Sequence, residues 1–160
     1  MKRIFAFAAI VPLTLAACSQ ATTTSTGSVA TPATPAGMVG TTTPRAALEQ
    51  FLDAVKSQDV QAMSQVWGTT KGAAREQIPR QELEKRILVM QCYFSHDKYR
   101  VTNDSRTDRG HTFHVALTKG NMTRETSFYT VRGPSNRWFV ENAEMDPVKD
   151  LCRQPPPPQG

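Results

Sequence analysis

Lys98-Tyr99-Arg100-Val101-Thr102 and Thr112-Phe113-His114-Val115-Ala116-Leu117-Thr118 decide the fold of this chain. In the first stretch Tyr99 and Val101 alternate with Lys98, Arg100 and Thr102. In the second, Phe113, Val115 and Leu117 alternate with Thr112, His114 and Thr118. A period of two marks a half-buried strand, because successive side chains leave opposite faces of a pleated backbone. Asp108-Arg109-Gly110 turns the chain between them. Lys119-Gly120-Asn121 is a hairpin signal, although the favoured order is Asn-Gly. Residues 122–132 make the next strand, with Phe128 on one face and Tyr129 and Val131 on the other. Gly133-Pro134-Ser135-Asn136 turns the chain again, Trp138-Phe139-Val140 opens a fourth strand, and Pro147 ends it.

Upstream of Cys92 the period is helical. Leu48, Phe51, Leu52 and Val55 fall at i, i+3, i+4 and i+7, with Glu49, Asp53 and Lys56 opposite. Asp59 is placed to cap a second, short helix carrying Val60, Met63 and Trp67 inward, and Gly68 stops it. Residues 69–78 read as a loop or ragged turn. Pro79 suits the first turn of a third helix, with Leu83, Ile87 and Met90 on one face and Glu82, Lys85 and Arg86 on the other. Helices that precede a run of sequential strands define the α+β class. The expected architecture is three N-terminal helices packed on a curved four-stranded antiparallel meander, cone-like, over residues 45–153.

The chain has 160 residues, enough for about one domain. Hydrophobic residues make up 39%, a low share whose deficit is local: residues 19–44 hold no charge and almost no large apolar side chain. Net charge is +5, and +3 without Lys2 and Arg3. Lys and Arg are scattered among Asp and Glu, which argues against a nucleic-acid partner.

At the N-terminus, Lys2 and Arg3 precede an apolar run, Ile4–Leu15, that ends in Leu15-Ala16-Ala17-Cys18. The run is well short of the roughly 20 apolar residues a spanning helix needs, so it reads as a signal-peptide core. Its ending resembles the lipobox of bacterial lipoproteins, which are cut just before a lipid-modified cysteine. The other reading is an ordinary secretory signal with a chance cysteine near an Ala-x-Ala-like site. The lipobox resemblance implies a signal peptide over 1–17 and a lipid-anchored Cys18. It also implies a membrane partner through that anchor. Ser19, by the same resemblance, implies export to an outer membrane, facing the periplasm.

With Cys18 acylated, Cys92 and Cys152 remain in an oxidising compartment, and a disulfide between them is the natural pairing. It closes a loop worth on the order of 4 kcal/mol in the chain-entropy model. Two separate buried thiols are the alternative. Residues 18–44 then form the lipidated cysteine and a Thr/Ser/Ala/Pro linker unable to bury enough surface to order itself. As a coil that linker spans roughly 30 Å, and about 85–90 Å at full stretch. Residues 154–160, with Pro155–Pro158, are a frayed Pro-rich tail.

The segment from Arg45 to Cys152 resembles the nuclear-transport-factor-2-like superfamily, whose domains are cystatin-like α+β cones. It is similar in particular to small bacterial lipoproteins of that superfamily. The residues that carry the resemblance are Ala46-Ala47-Leu48-Glu49-Gln50-Phe51-Leu52-Asp53-Ala54-Val55, the Gln58-Asp59 break, and the Val131-Arg132-Gly133 and Arg137-Trp138-Phe139-Val140 ending. Enzymes of the superfamily, cyclase-like and dehydratase-like, use Asp and His residues inside the cone.

Here the residues expected to face inward are Phe113, Val115, Leu117, Phe128 and Trp138. These and Trp67 are the candidates for lining a ligand cavity. For Trp67 and Trp138 the alternative is ordinary core. So apolar a wall offers no acid–base pair, although a one-residue slip of register would bring His114 and Tyr129 inside. His96-Asp97 is adjacent in sequence, and an extended chain points such neighbours apart. His111 and His114 are expected on opposite faces, which forbids one shared metal. No metal and no cofactor is expected, and no catalytic residue is assigned. Lys85, Arg86, Lys98 and Arg100 are a solvated face or a cationic edge for acidic groups.

Three functions follow. The leading one is a non-catalytic, lipid-anchored module of the cell envelope that holds a small apolar ligand or an envelope protein. The others are a small cone-fold cyclase, dehydratase or hydrolase using a His/Asp pair, and a brace for a larger complex marked by an exposed apolar patch.

Overall fold

The computed structural model describes residues 39–153. The expected signal peptide, Cys18, most of the linker and the Pro-rich tail lie outside the described residues.

The leading helix, α1 (Pro44–Ser57), starts where the Thr43 hydroxyl accepts from the Ala46 N–H at 3.1 Å, with Pro44 in the first turn. Leu48, Phe51, Leu52 and Val55 are buried along it, the stripe expected from their spacing. Gln58 ends the helix in the left-handed region at φ 58°. Asp59 then caps α2 (Val60–Val66) by accepting from the Ala62 N–H at 2.9 Å. The stretch expected as a loop is more structured. It holds a two-residue hairpin, β1 (Gly68–Thr69) with β2 (Gly72–Ala73), and a single-turn helix, α3 (Ala74–Gln77). Among the described residues the expected three helices therefore become four. Gln77 holds this turn together, its side-chain amide donating to the Gly72 and Ala73 carbonyls at 2.6 and 3.1 Å. Pro79 immediately precedes α4 (Arg80–Tyr93), which buries Leu83, Ile87 and Met90.

Strands β3 (Lys98–Arg106), β4 (Gly110–Lys119), β5 (Met122–Arg132) and β6 (Trp138–Ala143) form one antiparallel sheet in sequential order. A 3-10 turn, Pro134–Asn136, links the last two, and a 3-10 segment, Asp146–Cys152, closes the described chain. The class is thus α+β with a four-stranded antiparallel sheet. Its core sits between the helices and one sheet face. The rings of Phe51, Phe94 and Phe128 meet there at centroid distances of 5.0 to 6.3 Å. Each fully buried side chain of this size contributes about 1.5–3 kcal/mol.

Order begins before the expected Arg45. Thr41 is buried and exchanges backbone hydrogen bonds with Trp138 at 3.0 and 2.8 Å, which adds a short rung to the outer edge of β6. The Arg137 guanidinium grips the Val39 and Gly40 carbonyls. Gly40 is required here: its φ is +67°, and a Cβ would strike the Phe139 ring.

At the other end Val148 and Leu151 are fully buried, and Cys92 and Cys152 stand at disulfide distance with Cα atoms 4.8 Å apart. Lys119 Nζ donates to the Leu151 carbonyl at 2.6 Å and to Ser95 Oγ at 2.8 Å. No helix among the described residues is long and apolar enough to cross a membrane.

Candidate functional site

Register decides which side chains share the inner face. Tyr99 opposes Leu117 and Val101 opposes Val115, as plain alternation requires. The register then shifts: Asn103 opposes His114, and Asp104 opposes Phe113. Thr102 is the extra residue of a β-bulge, its hydroxyl donating to the His114 carbonyl at 3.1 Å. From there on parity is inverted, so Asp104 and Arg106 join the inner face. A second irregularity, between Tyr129 and Thr130, leaves Glu141 unpaired and sets Arg132 opposite Trp138.

The inner face is longer than the helices that cover it. Towards one end it carries Phe113, Phe128, Val115 and Leu117, all fully buried. Towards the other it carries His111, Arg106, Arg132 and Trp138, all partly or largely exposed. These last side chains, with Asp108 and Arg109 of the β3–β4 turn, line a recess of about 340 Å³. Arg132 lies 5.2 Å from the Trp138 ring centroid, a cation–π contact that holds the guanidinium at the rim. His111 stacks on Phe113 at 5.9 Å and meets Trp138 edge-on at 5.6 Å. Its Nδ1 lies 2.9 Å from Asp104 Oδ1. A carboxylate only accepts, so Nδ1 carries the proton and the ring is fixed in orientation and tautomer. Nε2 makes no hydrogen bond among the described residues. Arg109 is turned to Glu141 at 3.2 Å, whereas neither Arg106 nor Arg132 has an ion-pair partner among the described residues.

The candidates read from sequence are not brought together. Phe113, Val115, Leu117 and Phe128 pack as core against Phe51 and Phe94, whose rings fill the space expected for an apolar ligand. Trp138 reaches the recess just described. Trp67 lines a different depression, of about 420 Å³, beside Val89, Met90 and Met145.

His96 and Asp97 do not hydrogen-bond to each other. His96 is buried and its Nδ1 lies 2.8 Å from the Phe94 carbonyl, while Asp97 Oδ2 accepts from the Gly120 N–H at 2.7 Å. Burial holds the His96 imidazole below its ordinary value, opposed by the Phe94 hydrogen bond. Its Nε2 is buried without a partner. Tyr99, edge-on to His96, is pushed up to about 12 by burial and then by Asp53 and Glu49. His114 faces the opposite side of the sheet from His111, its Nδ1 3.2 Å from Ser127 Oγ. Among the described residues no three His, Cys, Asp or Glu side chains gather as a metal would require.

The pair that sequence reasoning missed is His111 and Asp104. Its only trace is a Thr-Asn-Asp-Ser run inside a strand, where poor strand formers mark an irregular ladder. No protein-family model matches the chain, and no curated protein or solved structure matches it.

Proposed function

We propose that this chain is a lipid-anchored binding module of the bacterial cell envelope, with the recess at the uncovered end of the sheet as its working site. One observation carries the site: the inner face runs on past the core and ends in four polar or aromatic side chains, His111, Arg106, Arg132 and Trp138, and no helix among the described residues lines the recess they form. A recess of this size, with few converging polar groups, is the usual form of a small-ligand site. The anchor rests on Leu15-Ala16-Ala17-Cys18 and on the even cysteine count it leaves. Helices preceding a sequential four-stranded meander support the reading as a cone of the nuclear-transport-factor-2-like kind.

Two measurements test the proposal. Labelled palmitate should enter the wild-type chain and not Cys18→Ser. A small-molecule screen read by nuclear magnetic resonance should shift the His111 ring and Trp138 indole signals before those of the core. Ligands that shift only the Trp67 depression would move the site elsewhere.

A second reading, a small enzyme of the cyclase, dehydratase or hydrolase type, is favoured by the oriented His111–Asp104 pair, since a positioned imidazole with an unoccupied Nε2 is a competent general base. Turnover that survives in His111→Ala would exclude it.

A further inference from the structure

We infer that the recess takes a compact oxyanion, a phosphate or carboxylate group, clasped between Arg106 and Arg132. The inference rests on the recess being the working site and adds the chemistry of what enters it. Arg106 ends β3 level with His111 and Thr130, and Arg132 lies two residues further along β5, so their backbones stand roughly 12 Å from each other with β4 between. Both side chains line the one recess, and arginine is long enough for two guanidiniums to reach a single oxyanion across that separation. Both lack an ion-pair partner among the described residues, although Asp104, Asp108 and Glu141 are near. Asp104 is engaged by His111 and Glu141 by Arg109. That leaves Asp108 as the single carboxylate among the recess-lining side chains, against three guanidiniums.

Guanidinium is the group of choice for such a ligand because its planar fork matches an oxyanion with two parallel hydrogen bonds. The Trp138 ring under Arg132 keeps one fork pre-set at the rim, which lowers the ordering cost of binding. An apolar ligand would leave both cations unused and would have to displace their water.

The same oxyanion chemistry occurs in free solutes and in phospholipid head groups, and the test separates them. The purified full chain, carrying Cys18→Ser so that no lipid anchor holds it to a membrane, is titrated with inorganic phosphate, phenyl phosphate, phenol and phosphatidylglycerol vesicles, followed by the His111 and Trp138 signals and by vesicle sedimentation. Phenyl phosphate should bind and phenol should not. Arg106→Gln and Arg132→Gln should each weaken phenyl phosphate roughly tenfold with the circular dichroism spectrum unchanged. Raising the salt to about 0.5 M should weaken it too. Vesicle binding lost in the same two variants, with no free phosphate bound, identifies a head group as the source and keeps the oxyanion. Equal binding of phenol, or binding indifferent to both arginine variants, overturns the oxyanion and leaves the recess as the working site. If no probe moves either signal, the recess itself fails as the working site.

Discussion

His111 and Asp104 are diagonal neighbours on one sheet face, Nδ1 to Oδ1 at 2.9 Å, only because Thr102 is bulged out of β3. In an unbroken strand Asp104 would oppose Thr112 and look the other way. The same extra residue turns Arg106 inward. One bulge thus supplies two of the side chains that distinguish this end of the sheet from plain core.

Asp104→Ala should therefore strip His111 of its carboxylate while the bulge and Arg106 stay in place. The expected result is a folded protein in which the Nδ1–H tautomer of His111 no longer dominates, read by nitrogen chemical shifts of the imidazole. Deleting Thr102 should keep the tautomer, because closing the bulge leaves Asn103 opposite His114 and Asp104 opposite Phe113 on the inner face. A tautomer ratio unchanged in Asp104→Ala would contradict this account.

Phe128→Ala should cost about 3–5 kcal/mol, because the ring is fully buried between Phe51 and Phe94 and neither neighbour can collapse into the space. Urea unfolding measures it. A loss below about 1 kcal/mol would mean that the site repacks easily and is not tightly packed core.

Acid should weaken the fold through His96. Its folded-state value lies below the ordinary one, burial being the main cause, so the fold stabilises the neutral ring. The unfolded chain takes up a proton near pH 6.5, and below that the unfolded state binds more protons than the native one. Stability from this group is complete above that pH. It declines as the pH falls through it, by at most about 1.4 kcal/mol per pH unit. Replacing His96 with Gln should flatten the difference between pH 7 and pH 5. An equal slope in both proteins would assign the acid sensitivity to carboxylates instead.

Removing the Cys92–Cys152 pair, as Cys92→Ser with Cys152→Ser, should cost about 4 kcal/mol from the sequence separation of 60. The loss should be felt first in the closing 3-10 segment, whose Val148 and Leu151 are buried in the core. Amide exchange that rises there and remains slow in β4 and β5 is the expected pattern.

Helix positions were legible because Leu48, Phe51, Leu52 and Val55 need only a 3.6-residue period to declare their face, and Asp59 announces a cap by its chemistry. Strand positions were legible for the same reason at a period of two. The site was not, since Asp104 reaches it through a register shift, and alternation counted from Tyr99 and Val101 places Asp104 on the wrong side. For the apolar inner wall, sequence shows which side chains point inward, not that Phe51 and Phe94 come to pack against Phe128. Nor did composition reveal that residues 39–43 belong to the fold, because Thr41 contributes backbone hydrogen bonds and very little side-chain surface.

That rung between Thr41 and Trp138 has a mechanical meaning. A pull on the chain upstream of Val39 is borne by the hold of Arg137 and the Gly40 N–H bond to the Gln65 carbonyl at 2.8 Å, then by the two bonds of the rung, before any strain reaches α1. The residue that takes the load, Trp138, is also a wall of the recess and the seat of Arg132. The hold on the N-terminal end and the wall of the recess therefore meet in one residue, the first through its backbone and the second through its indole.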